Sequence, residues 1–281
     1  MNGLMLILAS SLLGTAPALA QPCTGYTADA QQQSGLAYDP TEVTPQLVQV
    51  LIRTQDVDLD NSCQSQRIEI RPLNNSGQIT LRGSGATLRW EPFRSSDTAS
   101  VAPAAITLTG NSRRQLLSDG QVLIDLFQVQ AGQYVPPGDY IADVELAIGQ
   151  RDARPFQITV RVVPALRLVS SAIQSLSLGE VSDGGEAEST FFYQSNALIR
   201  IIARSDNRGV LVHARGAAFG SIPYQATLSG QTLDLSADDV VTLSDRSTGI
   251  RADQLKVTVS PQQGRFAGTY TDVLTLEFNA Y

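Results

Sequence analysis

One pattern occurs twice in this chain, and it constrains the fold more than any other feature of the sequence. The segments Gly138–Ile148 and Gly268–Phe278 align without a gap, and each has a glycine two residues before a tyrosine. Because alternate side chains of a β-strand lie on opposite faces, each segment predicts a strand with one apolar face that is entered through a glycine turn. The aligned pairs are Tyr140 with Tyr270, Val144 with Leu274, Leu146 with Leu276, and Ile148 with Phe278.

The repeat predicts two related domains rather than one long domain, and 281 residues are enough for two. After Ile148 the chain continues into another alternating strand, Phe156–Val163, whereas the sequence ends at Tyr281. If the two domains are homologous, the second lacks a strand that the first possesses. We assign Phe156–Val163 to the first domain, although it could instead begin the second. Pro164 marks the predicted boundary, because the residue before a proline is held extended.

Short apolar runs separated by turn residues predict an all-β chain. Asn74–Gly77, Gly83–Gly85 and Ser118–Gly120 are typical turns, and no stretch shows the apolar stripe of an amphipathic helix over three turns. We therefore predict two β-sandwiches in tandem, over residues 21–164 and 165–281. The predicted strands, with a tight hairpin at Ser229–Gly230, are Leu47–Arg53, Gln66–Arg71, Gln78–Arg82, Thr87–Trp90, Ile106–Thr109, Val122–Val129, Asp139–Ile148, Phe156–Val163, Ala172–Leu178, Glu188–Tyr193, Leu198–Ala203, Val210–Ala214, Tyr224–Leu228, Gln231–Leu235, Leu255–Ser260 and Tyr270–Tyr281.

Residues 1–20 predict an exported protein. Leu4–Leu13 is a short apolar run, and Ala18–Ala20 supplies the small residues of a signal-peptide cleavage site. No Lys or Arg precedes the run, which is atypical, and the run is shorter than the roughly 20 residues of a membrane-spanning helix. In an oxidising compartment Cys23 and Cys63 are predicted to form one disulfide. In the chain-entropy account such a bond contributes on the order of 4 kcal/mol to stability.

The chain lacks the residue patterns of most enzymes and nucleic-acid-binding proteins. Its net charge of −7 argues against a nucleic-acid partner, which needs a basic face. His213 is the one histidine, and without a Gly-x-Ser-x-Gly elbow we interpret it as a strand histidine at a surface or rim. Asp56–Asn61 resembles the start of a calcium loop but has Asn61 in place of glycine and Arg67 in place of glutamate. We predict no enzymatic activity, no metal and no cofactor.

A missing strand in the second sandwich would leave an open groove. Tyr270, Leu274, Leu276 and Phe278 would border it, and the sheet edge beside them would expose unpaired backbone groups that invite strand addition from another polypeptide. Several side chains buried at about 1.5–3 kcal/mol each would make the donated strand a folding requirement. The aligned tyrosines, Tyr140 and Tyr270, are interpreted as packing residues whose hydroxyl groups find a partner, as in the tyrosine corner of other sandwiches.

The ending Gly268–Leu276, closing on Tyr281, resembles the spore coat protein U type domain, a family that includes pilin subunits of archaic chaperone–usher pili. Ser177–Gly179 and Ile222–Tyr224 fit the same family loosely, and the first domain resembles it around Gly138–Val144. The resemblance implies an Ig-like sandwich completed by a donated strand. It implies three partners, namely a periplasmic chaperone, an outer-membrane usher and an adjacent pilin subunit. It also implies a place at the cell surface and a role in attachment or biofilm formation.

The N-terminal segment predicts a position at the tip of such a fibre. A pilin that donates a strand carries alternating large apolar residues in front of its domain, whereas the apolar members of Gln21–Ser34 are Pro22, Tyr26 and two alanines. A subunit that accepts a strand but offers none sits at the tip, and the extra first domain indicates a two-domain tip adhesin. The candidate residues for binding a receptor or surface lie in two loops: Val101, Ala102 and Pro103, and Val135, Pro136 and Pro137.

Three other functions fit parts of the sequence. A two-domain periplasmic chaperone also has paired Ig-like domains, but it needs an Arg–Lys pair to hold a subunit's terminal carboxylate, and Lys256 is the one lysine in this chain. A secreted carbohydrate-active β-sandwich would use carboxylate pairs that no motif here marks. A secreted matrix protein that does not polymerise is the third alternative.

Overall fold

The computed structural model describes residues 27–55, 67–73, 78–83, 85–93, 98–101, 105–149, 151–243 and 249–281. The predicted signal peptide, both cysteines and the candidate calcium loop lie outside these ranges, so each of them stays a prediction. Within these ranges, no helix is both long enough and apolar enough to cross a membrane.

The first part of the chain is a β-sandwich. Its strands are β1 (Thr27–Gln32), β2 (Leu36–Tyr38), β3 (Gln46–Gln55), β4 (Ile68–Pro72), β5 (Leu81–Gly83), β6 (Ala86–Leu88), β7 (Trp90–Pro92), β8 (Thr98–Val101), β9 (Ala105–Leu108), β10 (Gln121–Val129), β11 (Gly138–Ile148) and β12 (Arg151–Val162). One sheet has the order β1-β3-β10-β7, and the other has the order β2-β12-β11-β4-β9-β8, with β5 paired to β11 and to β6. Buried side chains between Ala28 and Val162 form one hydrophobic cluster.

A short helix that the apolar pattern did not predict, α1 (Gly110–Asp119), lies between β9 and β10. It buries Ser112 and Leu116 and is otherwise mostly polar, so no apolar stripe marks it in the sequence. Gly120 ends the helix in the left-handed region, with a φ of 70°, and its N–H donates to the carbonyl of Leu116. The residues predicted as a turn, Ser118–Gly120, are therefore the end of this helix.

The second part of the chain is also a β-sandwich, and the predicted fold class of tandem sandwiches is confirmed. Its strands are β13 (Leu166–Leu168), β14 (Gly185–Ser195), β15 (Ile199–Ser205), β16 (Val210–His213), β17 (Ser221–Pro223), β18 (Gln225–Leu228), β19 (Gln231–Thr232), β20 (Asp239–Leu243), β21 (Ile250–Val259), β22 (Tyr270–Thr271) and β23 (Leu274–Ala280). The sheet orders are β13-β14-β21-β18-β19, β20-β15-β23 and β17-β16-β22. Buried side chains between Tyr193 and Val259 form a second hydrophobic cluster.

Two local predictions in the second sandwich had different outcomes. The hairpin at Ser229–Gly230 is confirmed, because Leu228 pairs with Gln231 and both turn residues have positive φ. The last segment was predicted as one strand but is two, because β22 pairs with β16 whereas β23 pairs with β15. The break between them falls at Asp272–Val273, so the end of the chain joins two different sheets.

The two sandwiches share one topology. The order β1-β3-β10-β7 corresponds to β13-β14-β21-β18, and the order β11-β4-β9 corresponds to β23-β15-β20. The aligned residues keep their places: Leu146 pairs with Ile70 of β4, and Leu276 pairs with Ala203 of β15. Three strands of the first sandwich, β2, β8 and β12, have no counterpart strand in the described part of the second.

The strand β12 lies between β11 and β2. It pairs antiparallel with β11 along its whole length and parallel with β2. Its side chains Ile158, Val160 and Val162 are buried in the first hydrophobic cluster. The segment that the sequence alone could place in either domain, Phe156–Val163, therefore pairs within the first sandwich up to Val162.

Candidate strand-accepting groove

One edge of β23 carries no neighbouring strand in the part of the chain that the structure describes. Its other edge pairs antiparallel with β15, from Leu274 opposite Ser205 to Ala280 opposite Ile199. A strand that is paired on one side presents a row of N–H and C=O groups on the other. This edge can therefore accept a further strand through backbone hydrogen bonds.

The segment Ala172–Leu178 faces this edge, and its prediction as a strand was wrong. Its side chains nevertheless alternate as in a strand: Leu176 and Leu178 are half-buried, whereas Ser175 and Ser177 are exposed. A ladder of hydrogen bonds requires a partner, and none is described here. The segment follows β13 as β2 follows β1, and β2 has β12 as its partner.

A groove of about 550 Å³ separates Ala172–Leu178 from β23. Leu176 and Leu178 line one side of the groove, and the predicted residues Leu274 and Leu276 line the other. Between these two sides lie apolar side chains from β14, β16 and β21, namely Phe191, Leu211, Leu255 and Val257. The groove thus has the lining of a sandwich interior that lacks one strand.

Aligned residues of the two sandwiches differ in burial, and the difference shows which side chains a strand in the groove would cover. In the first sandwich, where β12 is present, Val144 and Leu146 are 0% and 1% exposed. Their counterparts Leu274 and Leu276 are only half-buried. Among the described residues, the apolar face that is fully covered in the first sandwich is therefore only partly covered in the second.

Phe278, the last residue predicted to border the groove, packs against the opposite sheet. Its ring centroid lies 6.0 Å from that of Phe191 and 5.6 Å from that of Tyr193, both on β14 of the opposite sheet. Phe278 therefore packs against the second hydrophobic cluster beside Phe191, which lines the groove, and a place for Phe278 at the groove itself stays a prediction.

The two tyrosines of the repeat make the same hydrogen bond, in agreement with a packing role. The Tyr140 hydroxyl donates to the carbonyl of Pro136, and the Tyr270 hydroxyl donates to the carbonyl of Phe266, each over 2.9 Å. Tyr140 is 1% exposed, whereas Tyr270 is half-buried and lines a cavity next to the groove. Each sandwich therefore has a tyrosine corner, and the tyrosine is fully buried only in the first.

The glycines of the repeat are required by the backbone. Gly138 has a φ of 137° and Gly268 a φ of 154°, which glycine adopts far more readily than other residues. A Cβ atom at Gly268 would also overlap the imidazole ring of His213.

His213 is buried, and the prediction that it lies at a surface or rim was wrong. Its Nδ1 accepts the backbone N–H of Arg215 over 3.0 Å, and its Nε2 lies 3.3 Å from the carbonyl oxygen of Ala267. The ring stacks on Phe219 and meets Tyr270 edge-on. The Nε2 atom and the edge-on contact with Tyr270 join β16 to β22 and to the loop before it, whereas Nδ1 bonds to the turn after β16, so His213 has a structural role.

Asp272 is the groove residue that the sequence did not single out. Its Oδ2 accepts hydrogen bonds from Ser205 Oγ and from the Tyr224 hydroxyl, each over 2.6 Å. Its Oδ1 accepts from the backbone N–H of Asn207 over 3.1 Å and from Nδ2 of the same residue over 3.0 Å. Burial of Tyr224, together with its hydrogen bond to this carboxylate, raises the pKa of the tyrosine. Asp272 thus fixes the break between β22 and β23.

A second cavity, of about 1010 Å³, adjoins the groove at the start of β22. Both cavities are lined by Leu176, Leu178, Leu211 and Asp272, so they form one continuous depression. The loop at residues 262–269 lines the second cavity on one side, and residues 176–182 line it on the other.

The candidate binding loops are described only in part. Ala102 and Pro103 lie outside the described ranges, and Val101 is the last residue of β8. Val135–Pro137 are half-buried, and Val135 packs against the first hydrophobic cluster. Binding of a receptor or surface by either loop stays a prediction.

Lys256 and the acidic side chains do not form a further site. The Lys256 Nζ atom lies 2.8 Å from Glu186 Oε2 and 3.5 Å from Glu188 Oε1, and its hydrogen bond to Glu186 raises the pKa of the lysine. The lysine is therefore engaged on the face of β14 and β21, where a chaperone-like carboxylate anchor would need it free. Within the described ranges, no group of three or more His, Cys, Asp or Glu side chains could hold a metal ion.

A scan against protein-family models and a search of curated proteins each found no match. Among solved structures, the chain is similar to one in the CsuC–CsuE chaperone–tip adhesion subunit pre-assembly complex from archaic chaperone-usher Csu pili of Acinetobacter baumannii. The identity is 11%, the coverage is 89% of this chain and 99% of the other, and the TM-score is 0.47.

Two further similarities are to major fimbrial subunits. Self-complemented MyfA of Yersinia enterocolitica, in complex with galactose, is 12% identical over 48% of this chain and 98% of its own, with a TM-score of 0.34. AggA of the aggregative adherence fimbriae type I of Escherichia coli is 13% identical over 50% of this chain and 95% of its own, with a TM-score of 0.32. Because all three TM-scores lie below 0.5, we base the functional proposal on the groove.

Proposed function

We propose that the second sandwich accepts a β-strand from another polypeptide and that this strand completes its fold. One observation carries the proposal: β12 fills, in the first sandwich, the position that the groove leaves open in the second. The donated strand would run antiparallel to β23 and parallel to Ala172–Leu178, as β12 runs with β11 and β2. It would cover Leu274 and Leu276 with its own apolar side chains.

The energetic gain is sufficient to make this strand part of the fold. In β12, three side chains point into the core and are fully buried, namely Ile158, Val160 and Val162. Three comparable side chains in the groove would contribute on the order of 5 kcal/mol, at about 1.5–3 kcal/mol each. This is a large part of the free energy of unfolding of an ordinary domain, which is about 5–15 kcal/mol.

We propose further that the chain is a non-enzymatic fimbrial subunit, the tip adhesin of a chaperone–usher pilus. Residues 1–20 would direct export, residues 21–164 would form the adhesin domain, and residues 165–281 would form the pilin domain. A periplasmic chaperone would occupy the groove in transit, an outer-membrane usher would assemble the fibre, and the adjacent subunit would donate the final strand. The tip position is supported by Thr27–Gln32, because β1 pairs with β3 inside the first sandwich and is not free to be donated.

Self-complementation tests the groove directly. A flexible linker and a copy of Arg151–Val163 are appended after Tyr281, so that the chain supplies its own strand. We expect this fusion to be a monomer by light scattering and to unfold at a higher urea concentration than the unfused chain. A matched fusion in which the copies of Ile158 and Val160 are replaced by Asp should behave like the unfused chain. Equal behaviour of the two fusions would contradict the proposal.

A further inference from the structure

The loops that precede β11 and β22 occupy the same place in the two sandwiches but are covered to different extents. Residues 133–137 are buried or half-buried, whereas their aligned counterparts, residues 263–267, are all exposed. Phe266, which aligns with Pro136, is 64% exposed. Phe219 lies beside it, with ring centroids 6.1 Å apart in an edge-on arrangement, and is 38% exposed.

Two arginines flank these exposed rings. The Arg215 guanidinium lies 5.9 Å from the ring centroid of Phe219. Arg265 precedes Phe266 in the chain, is exposed, and donates to the Oε1 atom of Gln262. We name Arg215, Phe219, Arg265 and Phe266 the aromatic–arginine patch. Aromatic residues and arginine are enriched at protein–protein interfaces, and tyrosine, tryptophan and arginine are enriched among the few residues whose truncation weakens binding most.

In the first sandwich, the corresponding loop lies where the completing strand leads into the next folded unit. Val162, at the end of β12, pairs with Gly138, and the chain then enters the second sandwich at β13. Tyr134 in this loop is buried. Burial raises the pKa of its hydroxyl, and the positive charge of Arg167 on β13 opposes that shift. Because β13 begins four residues after Val162, the loop lies at the end of the sandwich where the chain passes to the next unit.

We propose that the aromatic–arginine patch is the docking surface for the folded body of the subunit that donates the strand. This inference rests on the proposed function, because without a donated strand no second body is brought to this end of the sandwich. A strand antiparallel to β23 ends opposite Gly268, as β12 ends opposite Gly138. Its polypeptide then continues past Phe266. The junction inside this chain thus predicts the geometry of the junction between this chain and the next.

The patch also defines the chemistry of its partner. The exposed ring of Phe266 favours an apolar or aromatic contact, and Arg215 and Arg265 favour acidic side chains. These two cations lie on a chain whose net charge is −7, so an acidic partner surface that would be repelled elsewhere is attracted here.

Site-specific photocrosslinking in the cells that make this chain tests the inference. The full-length chain carries p-benzoylphenylalanine at Phe266 in one variant and at Ile173, an 87% exposed residue at the edge of the groove, in another. Ile250, which is 63% exposed on β21, is the matched control. Surface fibres are sheared from the cells, irradiated, and the adducts are mapped by mass spectrometry.

We expect Phe266 and Ile173 to crosslink the same second polypeptide, and Ile250 to crosslink it at least tenfold less. The Phe266 adduct should map to the partner's folded body after its donated strand, and the Ile173 adduct to the strand itself. Crosslinking at Ile173 but not at Phe266 overturns the docking surface and leaves the proposed function intact, as does a Phe266 adduct that maps to the strand. Absence of any adduct at Ile173 contradicts the proposed function itself.

Discussion

At the scale of single residues, Asp272 shows how a carboxylate is accommodated on the apolar face of a strand. A carboxylate offers about four acceptor positions, and Asp272 uses four, from Ser205, Tyr224 and two groups of Asn207. These donors come from the end of β15 and the turn after it, and from the residue between β17 and β18, so they tie two segments to the break in the final strand. A single polar residue in an apolar run therefore determines where the chain passes from one sheet to the other.

The Tyr224 hydroxyl predicts a loss of stability at alkaline pH. In the folded protein the pKa of Tyr224 is raised above the value of about 10 that an unfolded chain would show. The folded state keeps its proton where the unfolded state releases it, so this contribution is fully present below about pH 10 and is lost as the pH rises further. Tyr224→Phe should make the free energy of unfolding fall less steeply between about pH 9 and 11 in urea titrations.

Tyr281→Phe is the matched control for this experiment, because Tyr281 is 53% exposed. It should leave the slope unchanged. Burial also raises the pKa values of three other tyrosines, namely Tyr38, Tyr134 and Tyr140. The free energy of unfolding of Tyr224→Phe should therefore still fall with pH, but less steeply than that of the unaltered chain. A slope identical to that of the unaltered chain would refute the contribution of Tyr224.

At the scale of elements, the alternation of apolar residues predicted which face each side chain lies on, but it did not predict which segments pair as strands. Ala172–Leu178 has the alternating burial that its sequence predicts, yet it is not a strand, because pairing depends on a partner that the described part of the chain does not supply. The groove could be predicted because the repeat shows which strand, β12, the second sandwich lacks. The helix α1 could not be predicted from an apolar stripe, because Leu116 is its one buried apolar residue. The break at Asp272 also escaped prediction, since its hydrogen-bond partners are distant in sequence.

Hydrogen exchange should show Ala172–Leu178 becoming a strand when the groove is filled. In the self-complemented fusion, amide hydrogens on both sides of the groove, at residues 172–178 and in β23, should exchange at least tenfold more slowly than in the unfused chain, since each backbone hydrogen bond must open before exchange. The matched fusion with Asp in place of the inward apolar residues is the control. Amides of β4, in the first sandwich, should not change. Slower exchange confined to β23 would show that Ala172–Leu178 does not pair with the donated strand.

At the scale of the whole molecule, one residue separates the hydrogen bonding of the two sandwiches. The backbone N–H of Val163 donates to the carbonyl of Tyr38 over 3.0 Å, within the first sandwich. The backbone N–H of Ala165 donates to Asn196 Oδ1 over 2.8 Å, and Asn196 Nδ2 donates back to the carbonyl of Val163 over 3.0 Å. Pro164, between them, has a fixed φ and no N–H. The junction is therefore held from both sides and is not a flexible linker.

Asn196→Ala tests whether these bonds make the two sandwiches move together. Asn196 is 3% exposed and Ala165 is 7% exposed, so the substitution leaves the Ala165 N–H and the Val163 carbonyl without these partners in a buried place. The expected cost is about 1–3 kcal/mol in the free energy of unfolding of the second sandwich. In the self-complemented fusion, ¹⁵N relaxation should give one rotational correlation time for both sandwiches, and Asn196→Ala should give two.

Asn111→Ala, on the exposed side of α1, should leave a single value. If Asn196→Ala also keeps a single value, the Asn196 hydrogen bonds do not hold the orientation of the two sandwiches.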